Sequence, residues 1–372
     1  MNFLLVGPLP EPVNGCSYAN AVLIQQAGKM GLNFLTVNTS TPIISSQQGN
    51  IFSFKKAFSF LGTYYQLSKV SQADVVYLTP GQTFFGLMKY APFMSLARLL
   101  GKSYVIHLHG NYLGAQFLQL RGIKKWLFRR YISRAAAGIV LSESLRKNFE
   151  ELLQPEQVFV VENFAGDFLF SDHPTAKPTD KLEILFLSNL MREKGVFVFL
   201  ESLALLKNTG ISFHAYLAGN LEDGIEDDIH EYLNLLGPCV KYLGPVGGQA
   251  KTDLLHKSNV FVLPTHYPME GQPISLLEGM ATGNIILTTA HAGIPDVVNE
   301  SNGYLVPIQD PKALASRLIN IASDLSNEVA RFSSHNKKYA ASRFTESTFA
   351  RKVVNVLVSV ADTKKKQMEN RI

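Results

Sequence analysis

Short runs of apolar, β-branched residues alternate along this chain with longer stretches that read as helices. In the first half the runs at residues 3–6, 34–37, 75–78, 104–108, 138–141 and 158–161 predict strands. Between them, residues 16–30, 55–70, 84–100 and 124–136 predict helices. The strand runs are mostly apolar and β-branched, which marks strands covered on both faces, and such strands each followed by a helix build a parallel sheet. Residues 171–181, SDHPTAKPTDK, break the rhythm with polar residues and two prolines and predict a linker. The same grammar then returns, with strands at 184–187, 213–217, 240–243, 260–263 and 285–287. The pattern predicts an α/β protein of two doubly wound domains, residues 1–170 and 182–346, facing across a cleft.

A chain of 372 residues has room for two cores of ordinary size. Its two cysteines, Cys16 and Cys239, are far apart and lack metal-ligand spacing, so a reducing compartment is expected and neither a disulfide framework nor a zinc site. MNFLLVGPLP enters a strand directly, without a basic leader or a cleavage site, so no signal peptide is expected. The most hydrophobic region, residues 83–100, is interrupted by Lys89 and Arg98, which disfavours a membrane span. Charge is uneven. Residues 1–165 hold 15 Lys/Arg against 7 Asp/Glu, a net of +8, and the rest hold 20 against 23, a net of −3. A basic half beside a nearly neutral one points to an anionic partner for the first domain.

Candidate chemistry centres on residues 259–284, NVFVLPTHYPMEGQPISLLEGMATGN. A buried strand is followed by a loop carrying Glu270, Gly271 and Gln272; Pro273 then begins a helix that contains Ile274 and Glu278. A helix start beyond the carboxyl end of a buried strand offers backbone N–H groups and a favourable dipole to an anion. Two carboxylates there suit sugar hydroxyls, so the ligand expected carries both hydroxyls and phosphates.

Other loops fit the same chemistry. GPLPEPVNGCSYAN, residues 7–20, is a rigid loop ending at a helix start near Gly15, a place for phosphate or simply a structural turn. It is not the G-x-G-x-x-G dinucleotide fingerprint, which disfavours a nicotinamide enzyme. His107 and His109 stand on the same side at the end of one strand, and spacing does not choose between them. In SNLMREKGV, residues 188–196, Arg192 and Lys194 precede a helix, against the dipole preference. Two cations there either hold a diphosphate or form a solvated turn. No D-x-D string lies between apolar segments; Asp227 and Asp228 read as a solvated face. Residues 120–134, LRGIKKWLFRRYISR, combine five Lys/Arg within residues 121–130 with Trp126, either as a lipid-facing surface or as an ordinary surface helix. No nucleic-acid motif accompanies the basic charge.

The string Glu270-Gly271-Gln272-Pro273-Ile274-Ser275-Leu276-Leu277-Glu278-Gly279-Met280-Ala281-Thr282-Gly283 resembles the E-x7-E signature of the retaining GT-B glycosyltransferases, in its bacterial polysaccharide variant. It departs from the pattern at Gln272, where an apolar residue is usual, and at Gly279, where Ala is usual. The stretch with Arg192 and Lys194 is similar to the same family's R-x-x-K-G-like motif, and His109-Gly110 to its pair after the corresponding strand.

The resemblance implies the GT-B fold, two Rossmann-like doubly wound domains, with a C-terminal helix at about 347–372 packed back on the acceptor-binding first domain. It implies a nucleotide-diphosphate sugar donor, UDP- or GDP-linked, as co-substrate, with no metal and no other cofactor. Glu278 would bind the ribose hydroxyls. Arg192, Lys194 and Gly15 would meet the diphosphate. Glu270 and the N–H groups of Gly271, Gln272 and Ile274 would contact the donor sugar, with His109 facing them. Glu270 and His109 are the catalytic candidates. The acceptor implied is a saccharide or lipid-linked oligosaccharide used in surface polysaccharide or lipopolysaccharide synthesis. The location implied is cytoplasmic, at an anionic membrane surface. The rival readings are a sugar-nucleotide 2-epimerase of the same architecture and a non-catalytic sugar-nucleotide-binding protein.

Overall fold

The computed structural model describes residues 1–40, 60–171 and 176–369. The start of the helix expected at 55–70, four residues of the expected linker and the last three residues of the tail lie outside the described residues. The chain divides into two compact units. One holds Met1–Asn163, Met269–Gln272 and the chain from Glu346 onwards; the other holds Phe164–Pro268 and Pro273–Thr345.

In the first unit the strands are β1 (Asn2–Gly7), β2 (Asn33–Asn38), β3 (Val75–Leu78), β4 (Ser103–His107), β5 (Ala137–Val140) and β6 (Val158–Val160). They form one parallel sheet in the order β2-β1-β3-β4-β5-β6. Val6 pairs with Val37 on one side and Leu78 on the other, so the strand order reverses beside β1. The crevice beyond the carboxyl ends of β1 and β3 is the usual ligand position in such a sheet. It is closely built: a Cβ on Gly7 would stand 2.0 Å from Thr79 Oγ1. Asn20, buried, donates from Nδ2 to Pro8 O and to Thr79 Oγ1, both at 2.9 Å.

Helix Gly15–Lys29 starts where it does because Asn14 and Ser17 cap it reciprocally. Ser17 N donates to Asn14 Oδ1 at 3.0 Å and Asn14 N to Ser17 Oγ at 2.9 Å, a capping box worth about 1 kcal/mol. The C-terminal helix, Glu346–Glu369, packs on it. Gln26 Nε2 donates to Glu346 Oε2 at 2.9 Å, and Lys352 meets Glu162 at 3.1 Å.

Some expectations change. The C-terminal helix, expected at about 347–372, begins at Glu346 and is described to Glu369. The stretch 84–100 is two helices, Phe84–Met88 and Ala91–Leu99, because Pro92 in the first turn of the second has no N–H to continue the first. Helix Leu113–Gln119 was not expected; Gln82 Oε1 accepts from the N–H of Tyr112 and of Leu113 at its start.

The second unit repeats the plan. Its strands are β7 (Leu182–Leu187), β8 (Phe213–Ala218), β9 (Val240–Tyr242), β10 (Val260–Leu263), β11 (Ile285–Thr289) and β12 (Gly303–Val306), parallel in the order β12-β11-β10-β7-β8-β9. β12 had no signal of its own. It opens on Gly303, and a Cβ there would stand 2.4 Å from Ile286 O, so glycine is needed for it to lie against β11. The order reverses between β7 and β10, which pair at Ile184–Val260 and Leu185–Phe261. Both strands are wholly buried. Burial of each Val, Leu, Ile or Phe side chain contributes roughly 1.5–3 kcal/mol, which fixes the two strand ends from which the candidate residues emerge.

Candidate functional site

In the second unit, the turn after β7 and the loop after β10 are stitched together. Arg192–Lys194 form one turn of 3-10 helix, closed by Gly195 at φ 82°. Helix Val196–Lys207 follows. Gly195 presses on the end of β10: a Cβ there would meet Pro264 O at 2.2 Å. The Glu193 carbonyl accepts from His266 N at 2.8 Å and from Thr265 Oγ1 at 3.3 Å. Lys194 Nζ lies 5.0 Å over the Tyr267 ring. Arg192 pairs with Asp228 at 2.5 Å and stacks 4.5 Å over Phe197. Asp228, expected as a merely solvated carboxylate, is thus the partner of Arg192. Both side chains are about half exposed, and such a pair contributes under about 1 kcal/mol, so a bound anion can replace it.

Helix Ile274–Ala281 follows Pro273 as the spacing predicts. Gly279 has a packing reason: a Cβ would stand 2.8 Å from the Phe261 ring, so β10 and the helix approach more closely than Ala permits. Glu278 is buried, and its Oε1 accepts from Lys251 Nζ at 2.6 Å. Burial pushes the carboxyl's pKa up, opposed by the Lys251 ammonium beside it. Lys251 sits in the first turn of helix Gly248–Lys257, with Nζ 5.7 Å over the Phe168 ring. It was not singled out from the sequence. The spacing of 27 residues between Lys251 and Glu278 carries no signal, and only the strand-helix order brings the two together.

In the first unit, His109 follows β4. His107 is fully buried, with Nδ1 2.6 Å from Tyr77 Oη, and stacks on His109 at 4.3 Å between ring centroids. Both ring nitrogens of His109 are shielded from solvent and have no partner among the described residues. Desolvation holds its pKa down at about 4, so at neutral pH it is an uncharged ring with one donor and one acceptor to offer. A sugar hydroxyl, itself donor and acceptor, fits either nitrogen.

Residues 269–272 pack beside it. A Cβ on Gly110 would stand 2.4 Å from Met269 O, and one on Gly271 2.8 Å from His109 O. Gln272 has a role the sequence did not signal: its Oε1 accepts from Asn163 N at 2.6 Å, and its carbonyl accepts from Asn163 Nδ2 at 2.7 Å. Asn163 was not singled out either. Glu270 is buried.

The residues expected to act together therefore fall into two groups. His109, Glu270, Gly271 and Gln272 belong to the first unit, with Gly15 in the first turn of its opening helix; Arg192, Lys194, Ile274 and Glu278 belong to the second. Among the described residues, no atom other than those of its chain neighbours and its own helix backbone lies within 4 Å of a Cβ built on Gly15, which leaves room for a ligand to approach that helix start. Among the described residues, the N–H groups of Gly271, Gln272 and Ile274 donate to no protein acceptor. No group of three or more His, Cys, Asp or Glu among the described residues is placed to hold a metal ion. The second unit can meet phosphate with two cations and a helix start, and a hydroxyl pair with a buried carboxylate. The first offers the uncharged His109 ring, backbone N–H groups and the buried Glu270 carboxyl.

Residues 181–324 match the family described as Glycosyl transferases group 1. The chain is 26% identical over 238 residues to WcaL of Escherichia coli, provisionally named a colanic acid biosynthesis glycosyltransferase, covering 62% of this chain and 58% of WcaL. It is 31% identical over 148 residues to the amylovoran biosynthesis glycosyltransferase AmsK of Erwinia amylovora, covering 38% of this chain and 36% of AmsK. The match thus spans less than two thirds of either relative. The crystal structure of HepE from Anabaena in complex with UDP-glucose superposes with a TM-score of 0.74 at 17% identity, over 96% of this chain and 99% of HepE. That likeness shows the fold, the expected two-domain α/β architecture of the GT-B type.

Proposed function

We propose that this protein is a retaining glycosyltransferase that needs no metal and moves a sugar from a nucleotide-diphosphate sugar to a saccharide acceptor in surface polysaccharide synthesis. The observation that carries the reading is the stitched pair of loops at the strand-order reversal of the second unit. There Gly195 seats the Arg192–Lys194 turn against Pro264, at the end of the strand that leads into the E-x7-E string. The resemblance of that string and the match over residues 181–324 support it.

In this reading Arg192 and Lys194, with the helix start at Gly15, bind the diphosphate and neutralise the charge that grows on it as it leaves. Glu278 accepts from the ribose hydroxyls. Glu270 and the N–H groups of Gly271, Gln272 and Ile274 fix the donor sugar, and neutral His109 hydrogen-bonds one of its hydroxyls. The bond from the anomeric carbon to the phosphate oxygen breaks as the acceptor hydroxyl oxygen attacks from the same face. The hydroxyl proton passes to the departing phosphate oxygen. The donor is a UDP- or GDP-sugar, and the UDP-glucose bound to HepE supports the former. The acceptor is a saccharide or lipid-linked oligosaccharide reached from the cytoplasmic side.

Calorimetric titration with UDP- and GDP-sugars in the presence of a chelator tests the donor half. One donor binds, and Arg192→Ala weakens it by roughly tenfold or more, the value of a charge-assisted hydrogen bond. If no nucleotide sugar binds the folded protein, the reading is wrong.

A further inference from the structure

Gln82 has two polar ends, and the fold uses one of them. It stands in the loop after β3, where Gly81 and Gly86 approach so closely that a Cβ on Gly86 would meet the Gly81 carbonyl oxygen at 2.9 Å. Phe84 N donates to Gln116 Oε1 at 3.2 Å, which ties the same loop to helix Leu113–Gln119. Gln82 Oε1 accepts from Tyr112 N at 2.6 Å and from Leu113 N at 3.3 Å. These two donors decide which way the amide lies, since the flipped side chain would set its NH2 group against them. The amide nitrogen therefore faces the other way, with both of its protons to give.

That nitrogen lies against Gly110. A Cβ on Gly110 would stand 2.1 Å from Gln82 Nε2 and 2.4 Å from Met269 O, so the two atoms sit close together on one side of it. All three residues belong to the first unit. Among the described residues Gln82 Nε2 donates to no acceptor, and the Met269 carbonyl accepts from no donor. Gln82 and Met269 are each half-buried. A donor beside an acceptor, neither used by the fold, matches a hydroxyl, which accepts with its oxygen and donates with its proton. A phosphate or carboxylate would suit Gln82 and be repelled by the Met269 carbonyl, and an ammonium would meet the reverse. His109, whose two ring nitrogens have no partner among the described residues, precedes Gly110 in the chain.

We infer that Gln82 Nε2 and Met269 O hold one hydroxyl of the donor sugar, beside the hydroxyl taken by His109, and that Gln82 is a specificity-determining residue for that sugar. The inference rests on the transferase reading and deepens it. A site built to hydrogen-bond a hydroxyl rejects the sugar that lacks it, because its own buried polar groups are then left unpaired.

Gln82→Glu separates the two ends. A carboxylate keeps an oxygen for Tyr112 N and Leu113 N, so the thermal midpoint is expected to stay at the wild-type value. Its other oxygen cannot donate, and the single proton of a sugar hydroxyl cannot serve both that oxygen and Met269 O. The full chain is titrated in the calorimeter with the UDP- or GDP-sugar that binds wild type, with its deoxy analogues, and with UDP or GDP alone. The parent sugar nucleotide is expected to bind Gln82→Glu about tenfold more weakly than wild type, while the nucleoside diphosphate binds both alike. One deoxy analogue binds wild type about tenfold more weakly than the parent does, and binds the variant no more weakly than the parent. Should the variant fail to fold, the wild-type protein still decides. Its Gln82 side-chain NH2 resonances are expected to shift with the sugar nucleotide and not with the nucleoside diphosphate. Equal binding of the parent to both proteins, an equal loss with the nucleoside diphosphate alone, or unmoved NH2 resonances overturns the inference alone and leaves Gln82 a helix cap. Wild-type protein that binds no nucleotide sugar overturns the transferase reading, and this inference with it.

Discussion

Gly195 stands against Pro264 so closely that a Cβ would meet the proline carbonyl oxygen at 2.2 Å, and its φ of 82° is one that only glycine adopts without strain. The contact joins the end of β7 to the end of β10 and sets where Arg192 and Lys194 stand. Gly195→Ala is expected to lower stability by about 3 kcal/mol, from backbone strain together with the displaced Pro264. It should also weaken nucleotide binding beyond what the loss of stability explains. Denaturant unfolding and donor titration of the same preparation check both. A variant with wild-type stability would mean the two loops move independently.

The Lys251–Glu278 pair is buried, and breaking it leaves a carboxyl group without its ammonium. Lys251→Met is expected to cost about 3–5 kcal/mol at neutral pH. The loss should depend on pH in a definite direction. Burial already raises the Glu278 pKa, and without Lys251 nothing opposes it. A carboxyl whose folded pKa lies above its unfolded one favours the folded state below the unfolded pKa, and that advantage fades as pH rises through the folded value. The variant should therefore recover part of its stability on acidification, relative to wild type. Glu278→Gln, neutral at every pH, should lack this dependence. Unfolding curves across pH distinguish the cases; a parallel pair of curves for wild type and Lys251→Met would contradict the assignment.

Gln272 accepts the buried N–H of Asn163 at 2.6 Å. Gln272→Leu removes that acceptor while keeping most of the volume, and an unsatisfied buried N–H costs about 1–3 kcal/mol. The thermal midpoint is expected to fall accordingly. An unchanged midpoint would show that water or another acceptor serves Asn163 equally well.

Much of the fold was legible because many of its strands are apolar runs: β3, β5 and β10 have no exposed residue to confuse the pattern. The helix after β10 was legible because Pro273 marks its start. β12 was not, since it rests on the absence of a side chain at Gly303 and on the proximity of Ile286. Two oddities in the E-x7-E string became explicable only in three dimensions, Gly279 through the Phe261 ring and Gln272 through Asn163. Lys251 and Asp228 were missed for the same reason, each meeting its partner across 27 or 36 residues of chain. Trp126 and its neighbours could not be sorted from the sequence, because which face of that helix is buried depends on packing around Phe128.

Transfer from a nucleotide sugar by the E-x7-E string is read out by turnover. Purified protein is incubated with a panel of UDP-, GDP- and ADP-sugars and a chelator, with and without a lipid-linked saccharide acceptor, beside Glu270→Ala and Arg192→Ala. One donor is expected to release free nucleoside diphosphate, more with acceptor, with the α or β configuration of the donor kept in the product and the rate reduced at least about 100-fold in both variants. A new sugar nucleotide without released diphosphate would contradict it in favour of an epimerase, and turnover undiminished in both variants would mean that the chemistry lies elsewhere.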